Sequence, residues 1–474
     1  MTRQHPSQED RDESAPGLQA GKHSPKGGDV LPRGLTHAFW FATFNAFSFQ
    51  IVLGSPMILY ARSLEAGAAV LGLIAGMMPL LVIFQIPAAP YVERVGYRKF
   101  VYGGWSIRVM IIGLMSLLPL LSPWLNPSST LGLLLAALFG FNLSRGISSC
   151  GWLPWITALV PASIRGRYLA VDTAFVNSAS FAVCLLSAFA LGSNPPPWRF
   201  AALFAFSAAM GAISLSFLKR IPDVAPPRED RGSGQPVPWG AIAGFSPFRR
   251  LLWFAVAWSF VFGGVMVFGV AWMKHSGVFS EQTILLLSSF SFVGGFGSLL
   301  LLGERLDRLG SRPVLLFAQT LTGLMLCGWT AMAGGLIPAS LGSVALLMAV
   351  AGLCGAVVQM ANTRMVMAIA PAMGRSHFFA LFSVVSNVSL GIAPVAWGLF
   401  IDVFGARRLS SLGLEWNSYS SFFAAAATTL LAAVFLCNRL EEPQTSSMQR
   451  LLKDVLIESP QRFVLRLWGR GSAP

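Results

Sequence analysis

The sequence predicts an all-α integral membrane protein with twelve transmembrane helices, arranged as two six-helix bundles related by a pseudo-twofold axis. Three observations predict it. The chain has 474 residues, of which 54% are hydrophobic and only 11% charged, whereas soluble domains carry about 25% charged residues. Its apolar residues fall in continuous runs of about 20, the length that crosses the hydrocarbon core as a helix. Finally, two polar motifs recur in the same order in the second half of the chain. The runs do not alternate as barrel strands would. Backbone amides in lipid need partners within their own segment, so repeated runs of this kind mean helices.

The expected helices of the first half are Thr36–Tyr60, Gly67–Tyr91, Tyr97–Leu121, Thr130–Trp152, Tyr168–Leu191 and Trp198–Leu218. Those of the second are Leu251–Met273, Gln282–Leu302, Pro313–Ala333, Leu341–Met360, Phe378–Phe400 and Tyr419–Leu436. The implied domains are a disordered tail 1–34, a bundle 35–220, a polar linker 221–247, a second bundle 248–438 and a tail 439–474. The first tail is rich in Ser, Pro, Gly and charge and has no apolar signal segment. The second mixes Leu451, Leu452, Val455 and Phe463 with Arg450, Lys453, Arg462 and Arg466, as an amphipathic helix lying on anionic lipid would.

The net charge is +14. Lys and Arg sit in the tails and in every second loop rather than on one soluble face, which is the positive-inside pattern and argues against nucleic acid. It places both termini in the cytoplasm. The five cysteines, Cys150, Cys184, Cys327, Cys354 and Cys437, fall in or at the end of apolar runs without metal-ligand spacing and read as packing residues.

The repeat is the most specific signal. After helix 2 the chain reads APYVERVGYRK from Ala89; after helix 8 it reads GERLDRLGSR from Gly303. Gly96 and Gly310 align, 310 − 96 = 214. After helix 4 comes PASIRGRY from Pro161, and after helix 10 PAMGRSHF from Pro371, so 371 − 161 = 210. Arg165 and Arg375 keep that offset, and Arg167 lies beside the first of them. Two motifs at nearly one spacing imply a duplicated six-helix unit, a known transporter plan.

The pattern Gly-x-x-x-Asp-Arg-x-Gly-x-Arg resembles the signature of the major facilitator superfamily. The second copy carries Gly303, Asp307, Arg308, Gly310 and Arg312; the first carries Glu93, Arg94, Gly96 and Arg98, with Ala89 in place of the leading Gly. The stretch from Trp152 to Tyr168 is similar to the corresponding loop of uncharacterised bacterial members. The resemblance implies a secondary transporter in a bacterial inner membrane, working by alternating access, with these charged residues latching the cytoplasmic side. A carboxylate there pairs with Arg and accepts from a helix N-terminus; the glycine permits a tight turn.

Polar residues inside a membrane are costly and mark pathways or partners. Arg108 lies nine residues after Lys99, about 14 Å into helix 3 at about 1.5 Å per residue. Arg145 lies within helix 4, where the resemblance implies a link to proton coupling, although Gly146 follows it directly. With Asn45, Gln50, Asn142, Asn177, Gln359 and Asn387 these form the candidate substrate cavity; Asn177 and Asn387 are symmetric, 387 − 177 = 210. Asp172 is the candidate proton carrier. Interhelical hydrogen bonding is the competing role for each amide. The two arginines favour a small, anionic solute.

No enzymatic activity, cofactor or metal site is expected: the five histidines form no metal-spaced pair, and no phosphate-binding Gly-rich loop is present. The glycine- and proline-rich helix 5 motif of drug/proton antiporters is also absent. A facilitative or exchange carrier, or a non-transporting sensor of the same fold, stays open as an alternative. The expected partners are a solute and the bilayer, with the protein as a monomer.

Overall fold

The computed structural model describes residues 34–160, 165–224, 244–302, 310–369, 375–405, 407–411 and 413–441. Gly303, Asp307, Arg308, the tail before Gly34 and the expected amphipathic segment after Met448 lie outside the described residues.

Among the described residues helices occupy the positions of the twelve expected spans, and eleven of these are long and apolar enough to cross a membrane. Span 1 is Thr36–Leu53 continued by Ser55–Ser63. Span 2 is Ala68–Leu80, a 3-10 turn Leu81–Phe84, and Gln85–Val95. Span 3 is Tyr97–Met115, span 4 Pro127–Ser149, span 5 Arg165–Leu191 and span 6 Pro197–Leu218. Span 7 is Ser246–Phe262 continued by Val265–His275, span 8 Glu281–Leu302 and span 9 Ser311–Ala333. Span 10 is Leu341–Ile369, span 11 Arg375–Phe404 and span 12 Ser418–Asn438. Six spans per half return the chain to its starting face, so Gly34 and Glu441 lie on one side, called here the near face.

Three departures from the sequence expectation have simple causes. Spans 1 and 7 are broken, at Gly54 and at Gly263–Gly264, positions one repeat apart since 264 − 54 = 210. The break in span 7 deprives the Phe260 carbonyl of its helical donor, and the Trp397 indole Nε1–H donates to it instead at 2.7 Å, as a backbone group in an apolar interior requires. In span 2, Pro87 has no N–H to donate four residues back to Ile83, and the helix tightens over Leu81–Phe84. Spans 10 and 11 run past the expected ends because backbone hydrogen bonding continues after the apolar stretch has ended.

A short helix, Trp152–Leu159, follows span 4. Its Trp155 is fully buried and donates to the Pro222 carbonyl at 3.0 Å. An antiparallel hairpin, Leu409–Ser411 with Leu414–Trp416, was not expected. It pairs Ser410 with Glu415, and the Glu415 amide donates to the Gly334 carbonyl at 2.9 Å.

The outer surface of the bundle is apolar. Met110, Leu114, Phe189, Leu324, Leu431 and Val403 all stand exposed, as side chains facing acyl chains do and those facing water seldom do in such density.

The two halves meet in a closed seam on the far face, between the start of span 2 and the end of span 11. A Cβ added at Gly72 would lie 2.1 Å from the Pro394 carbonyl oxygen, and one at Gly76 would lie 2.3 Å from that of Gly391. Only a bare Cα permits this approach. At the seam's outer end the Asp402 carboxylate accepts from the Ala68 and Ala69 amides at 2.9 and 2.8 Å, capping the N-terminus of span 2 from the other half.

The repeat supplies a second contact of the same kind. The Gln282 amide, at the start of span 8, donates to the Gly192 carbonyl at the end of span 5 at 3.1 Å. Ala68 and Gln282 are related by 282 − 68 = 214, and Gly192 and Asp402 by 402 − 192 = 210. Closure of the far face is therefore itself built by pseudo-symmetry. Between these seams Cys184 is 4% exposed, with its thiol on the Leu285 carbonyl at 3.3 Å.

Candidate functional site

The motif glycines that follow spans 2 and 8 adopt one conformation. Gly96 has φ 89° and ψ 150°, and Gly310 has φ 83° and ψ 161°. This region is essentially closed to other residues, so each motif glycine is required where spans 3 and 9 begin. Arg98 pairs with Asp223 at 3.3 Å, within its own half, and both side chains are about two-fifths exposed. The Arg94 guanidinium lies over the Tyr91 ring, 5.7 Å from its centre. Arg312 is half-buried. The side chains of Glu93, Arg165, Arg167 and Arg375 lie outside what the structure describes.

Among the described residues two cavities of note open in the near-face half of the molecule. The first, of about 190 Å³, lies among spans 1, 3, 4 and 5 and is lined by Asn45, Arg108, Arg145 and Asp172, together with Ser149 and aromatic walls from Phe41, Trp105 and Trp152. The second, of about 500 Å³, lies among spans 7, 10 and 11. Its polar lining includes Ser259, Gln359, Asn362, Ser386 and Asn387, and its aromatic lining is Trp258, Phe262 and Phe382.

The cavities are copies of one another. Asn45 and Ala255, Arg145 and Gly355, Ser149 and Gln359, and Asp172 and Phe382 each line their own cavity and are each separated by 210 (255 − 45, 355 − 145, 359 − 149, 382 − 172). The pairs Phe49 and Ser259, Trp152 and Asn362, and Val176 and Ser386 obey the same offset. The backbone repeat thus forms two equivalent hollows. Their chemistry differs: Arg108, Arg145 and Asp172 all belong to the first half, and the second offers amides and hydroxyls.

Arg108 is 4% exposed, its guanidinium 4.6 Å from the Trp105 ring centre and 5.0 Å from that of Phe141. These faces hold the cation by its charge and fix its plane. Its Nε is buried without a hydrogen-bond acceptor. Among the described residues no carboxylate forms an ion pair with Arg108 or Arg145. The Asp172 Oδ1 is likewise buried without a donor. The Trp105 indole donates to Asn45 Oδ1 at 3.1 Å, leaving the Asn45 amide N–H groups for the cavity.

The structure therefore gathers Asn45, Arg108, Arg145 and Asp172 in one hollow and Gln359 and Asn387 in its counterpart. Asn387 donates to the Ser383 carbonyl at 2.8 Å, so its amide oxygen is the group free to accept. Gln50, Asn142 and Asn177 line neither cavity. Gln50 sits beside the Gly54 break, its carbonyl accepting from that amide at 3.0 Å. Asn142 is buried and donates to the Leu138 carbonyl at 2.9 Å. Asn177 is half-buried next to Val176. Sequence reasoning did not pick out Ser149, Trp152, Ser259 or Ser386, yet the 210 offset applied to Asp172 and its neighbours would have pointed to the second hollow.

The family model of the Major Facilitator Superfamily matches residues 270–470. That match lies within the second half of the chain and covers less than half of its length. Among solved structures of this fold it is similar to a mutant of the nucleoside transporter NupG, at 12% identity and TM-score 0.67 over 86% of this chain and 100% of that one. It is similar to a D-xylose-proton symporter at 14% identity and TM-score 0.66, covering 87% of this chain and 100% of that chain. The inward open xylose transporter XylE from E. coli matches at 13% identity and TM-score 0.63, over 88% and 98% of the two chains. A search of curated proteins returns no match. At such identities the likeness to these structures is one of fold.

Proposed function

We propose that the protein is a secondary active transporter that carries a small solute with an anionic group across the cytoplasmic membrane by alternating access. One observation carries the reading: two symmetry-related hollows lie in the near-face half, while both interhalf seams of the far-face half are shut. A chain so arranged offers its cavity to one side only. Rocking one half on the other about the hollows would reverse that access. The loop charges make the near face cytoplasmic, so this is the inward-facing state.

The cargo's negative group would sit on Arg108 and Arg145. Two guanidiniums sharing a hollow repel one another and lose hydration, and an anion between them relieves both costs. Asp172, whose Oδ1 is buried in the same hollow without a donor, would carry the coupling proton when no donor of the cargo occupies it. Both walls come from one chain, so a monomer suffices.

The test is counterflow in proteoliposomes holding organic anions, with and without an imposed proton gradient. Saturable uptake that Arg108→Gln abolishes supports the reading. Absence of saturable flux for every solute class, with the protein inserted and folded, would favour a sensor of the same fold. Flux indifferent to the gradient would favour a facilitative or exchange carrier.

A further inference from the structure

Unlike charges in a low-dielectric hollow normally pair, because each is costly to bury alone. In the first cavity they do not. Arg108 and Arg145 are both free of ion pairs among the described residues, yet Asp172 lines the same hollow of about 190 Å³. Each side retains an unmet buried atom: Arg108 Nε on the cationic side and Asp172 Oδ1 on the anionic side. Packing explains why they stay apart. Arg108 is pinned between Trp105 and Phe141, and span 5 holds Asp172 on another wall.

A hollow that keeps a cationic and an anionic wall apart is complementary to a molecule carrying the opposite pair. From this geometry we infer that the cargo is a zwitterion of the amino-acid type. Its carboxylate lies on Arg108 and Arg145, and its ammonium donates to Asp172. The inference rests on the transporter reading above and specifies its substrate class. A simple anion would satisfy the arginines and leave Asp172 buried opposite a negative charge. A simple cation would do the reverse. Only a molecule with both ends meets both walls.

The remaining lining fits such a body. Phe41, Trp105 and Trp152 give flat apolar faces around the charged pair. Across the molecule the counterpart hollow, with Gln359, Asn362 and Asn387, carries no charged side chain among the described residues. The charged end is thus read by the first half. The broken symmetry at Asp172 and Phe382 sets the orientation, since an ammonium has no carboxylate to meet in the second half.

The experiment is thermal stabilisation of the purified full-length protein by the proteinogenic amino acids, each beside its N-acetyl and its carboxamide derivative. Native-state ligands stabilise by mass action, so the shift ranks affinity. The expected result is that at least one amino acid stabilises the wild type, and that removing either charge weakens its binding by roughly tenfold or more, as losing one charge-assisted contact does. Asp172→Asn should then level the amino acid with its N-acetyl derivative, and Arg108→Gln should level it with its carboxamide. The derivative comparison uses wild type alone, so it stands even where a variant folds poorly. Equal or tighter binding of the N-acetyl form to wild type would overturn the inference. So would stabilisation by none of the amino acids. In that case saturable proteoliposome flux of another solute would leave the transporter reading standing, whereas absence of any flux would remove that reading too.

Discussion

Asp402 offers a direct way to shift the conformational balance. It lies near the C-terminus of span 11, where a carboxylate opposes its own helix dipole. That placement becomes favourable only when the start of span 2 is docked against it, with the Ala68 and Ala69 amides at 2.9 and 2.8 Å. Asp402→Ala removes both acceptors. Loss of a capping side chain costs about 1 kcal/mol within a range of about 0.5–2, and the dipole contributes about 0.3–1 more. Because Asp402 is exposed, the total belongs in the lower part of that sum, about 1–2 kcal/mol. The cost falls on the far-face-closed state alone. The ratio of open to closed should therefore rise roughly 5- to 30-fold.

Cys184 is a built-in reporter of that ratio. It is 4% exposed between the halves and bonded to the Leu285 carbonyl across the second seam. A membrane-impermeant thiol reagent applied to the far face reaches it only when the seams part. Its labelling, followed by mass spectrometry, should accelerate in Asp402→Ala by roughly the same 5- to 30-fold factor, in proportion to the open population. Cys354 and Cys437 are buried within the second half and should stay unlabelled. An unchanged rate at Cys184 would refute the role of the cap. Equal acceleration at Cys354 and Cys437 would show general unfolding instead of opening.

Other consequences follow from the same structure. Gly76→Val places a side chain where even a Cβ lies 2.3 Å from the Gly391 carbonyl oxygen; far-face closure should fail, seen as fast Cys184 labelling and loss of uptake. Gly310→Ala imposes a side chain at φ 83° and should cost about 1–3 kcal/mol of stability, read as a lower Tm in detergent, with Gly96→Ala behaving alike. Arg98→Ala breaks a half-exposed pair with Asp223 inside one half; pairs of this kind contribute about 0–1 kcal/mol, so Tm should barely move.

Much of the architecture was legible because membranes punish ambiguity. A continuous apolar run has few alternatives to a helix, so span positions such as Tyr97 and Leu191 were accurate to a few residues. The breaks were less visible. Gly54 is the single glycine of span 1, whereas Gly263 and Gly264 share span 7 with Gly269, which continues its helix; a glycine therefore does not by itself mark a break, and tertiary contact decides where a segment ends. The hairpin at Leu409–Trp416 escaped because its strands are three residues each, too short for an alternating pattern. Within the site, depth along a helix was readable for Arg108, but facing was not. Asn142 and Arg145 lie one turn apart on span 4, yet one serves its own helix and the other lines the hollow. The charged residues were found because charge in lipid is conspicuous; Ser149 and Trp152 were not, because serine and tryptophan are ordinary there.

On the carrier reading proposed above, the repeat would let two demands be met by different features of one chain. Rocking requires two halves of matched shape, with hollows on one face and seams on the other that can exchange roles. The 210 offset supplies both, extending from the cavity linings to the paired helix-end contacts at Ala68 and Gln282. Selectivity requires the opposite, a site that is not symmetric, because a symmetric site would bind an asymmetric solute in two orientations. The divergence is confined to side chains: Gly355 where Arg145 would repeat, Phe382 where Asp172 would, Gly192 where Asp402 would. Each substitution leaves the helix positions intact while placing charge on one side only. On that reading backbone symmetry would carry the motion and side-chain asymmetry the recognition. It follows that moving charge across the repeat, as in Phe382→Asp with Asp172→Phe, should preserve the fold and change which solutes bind.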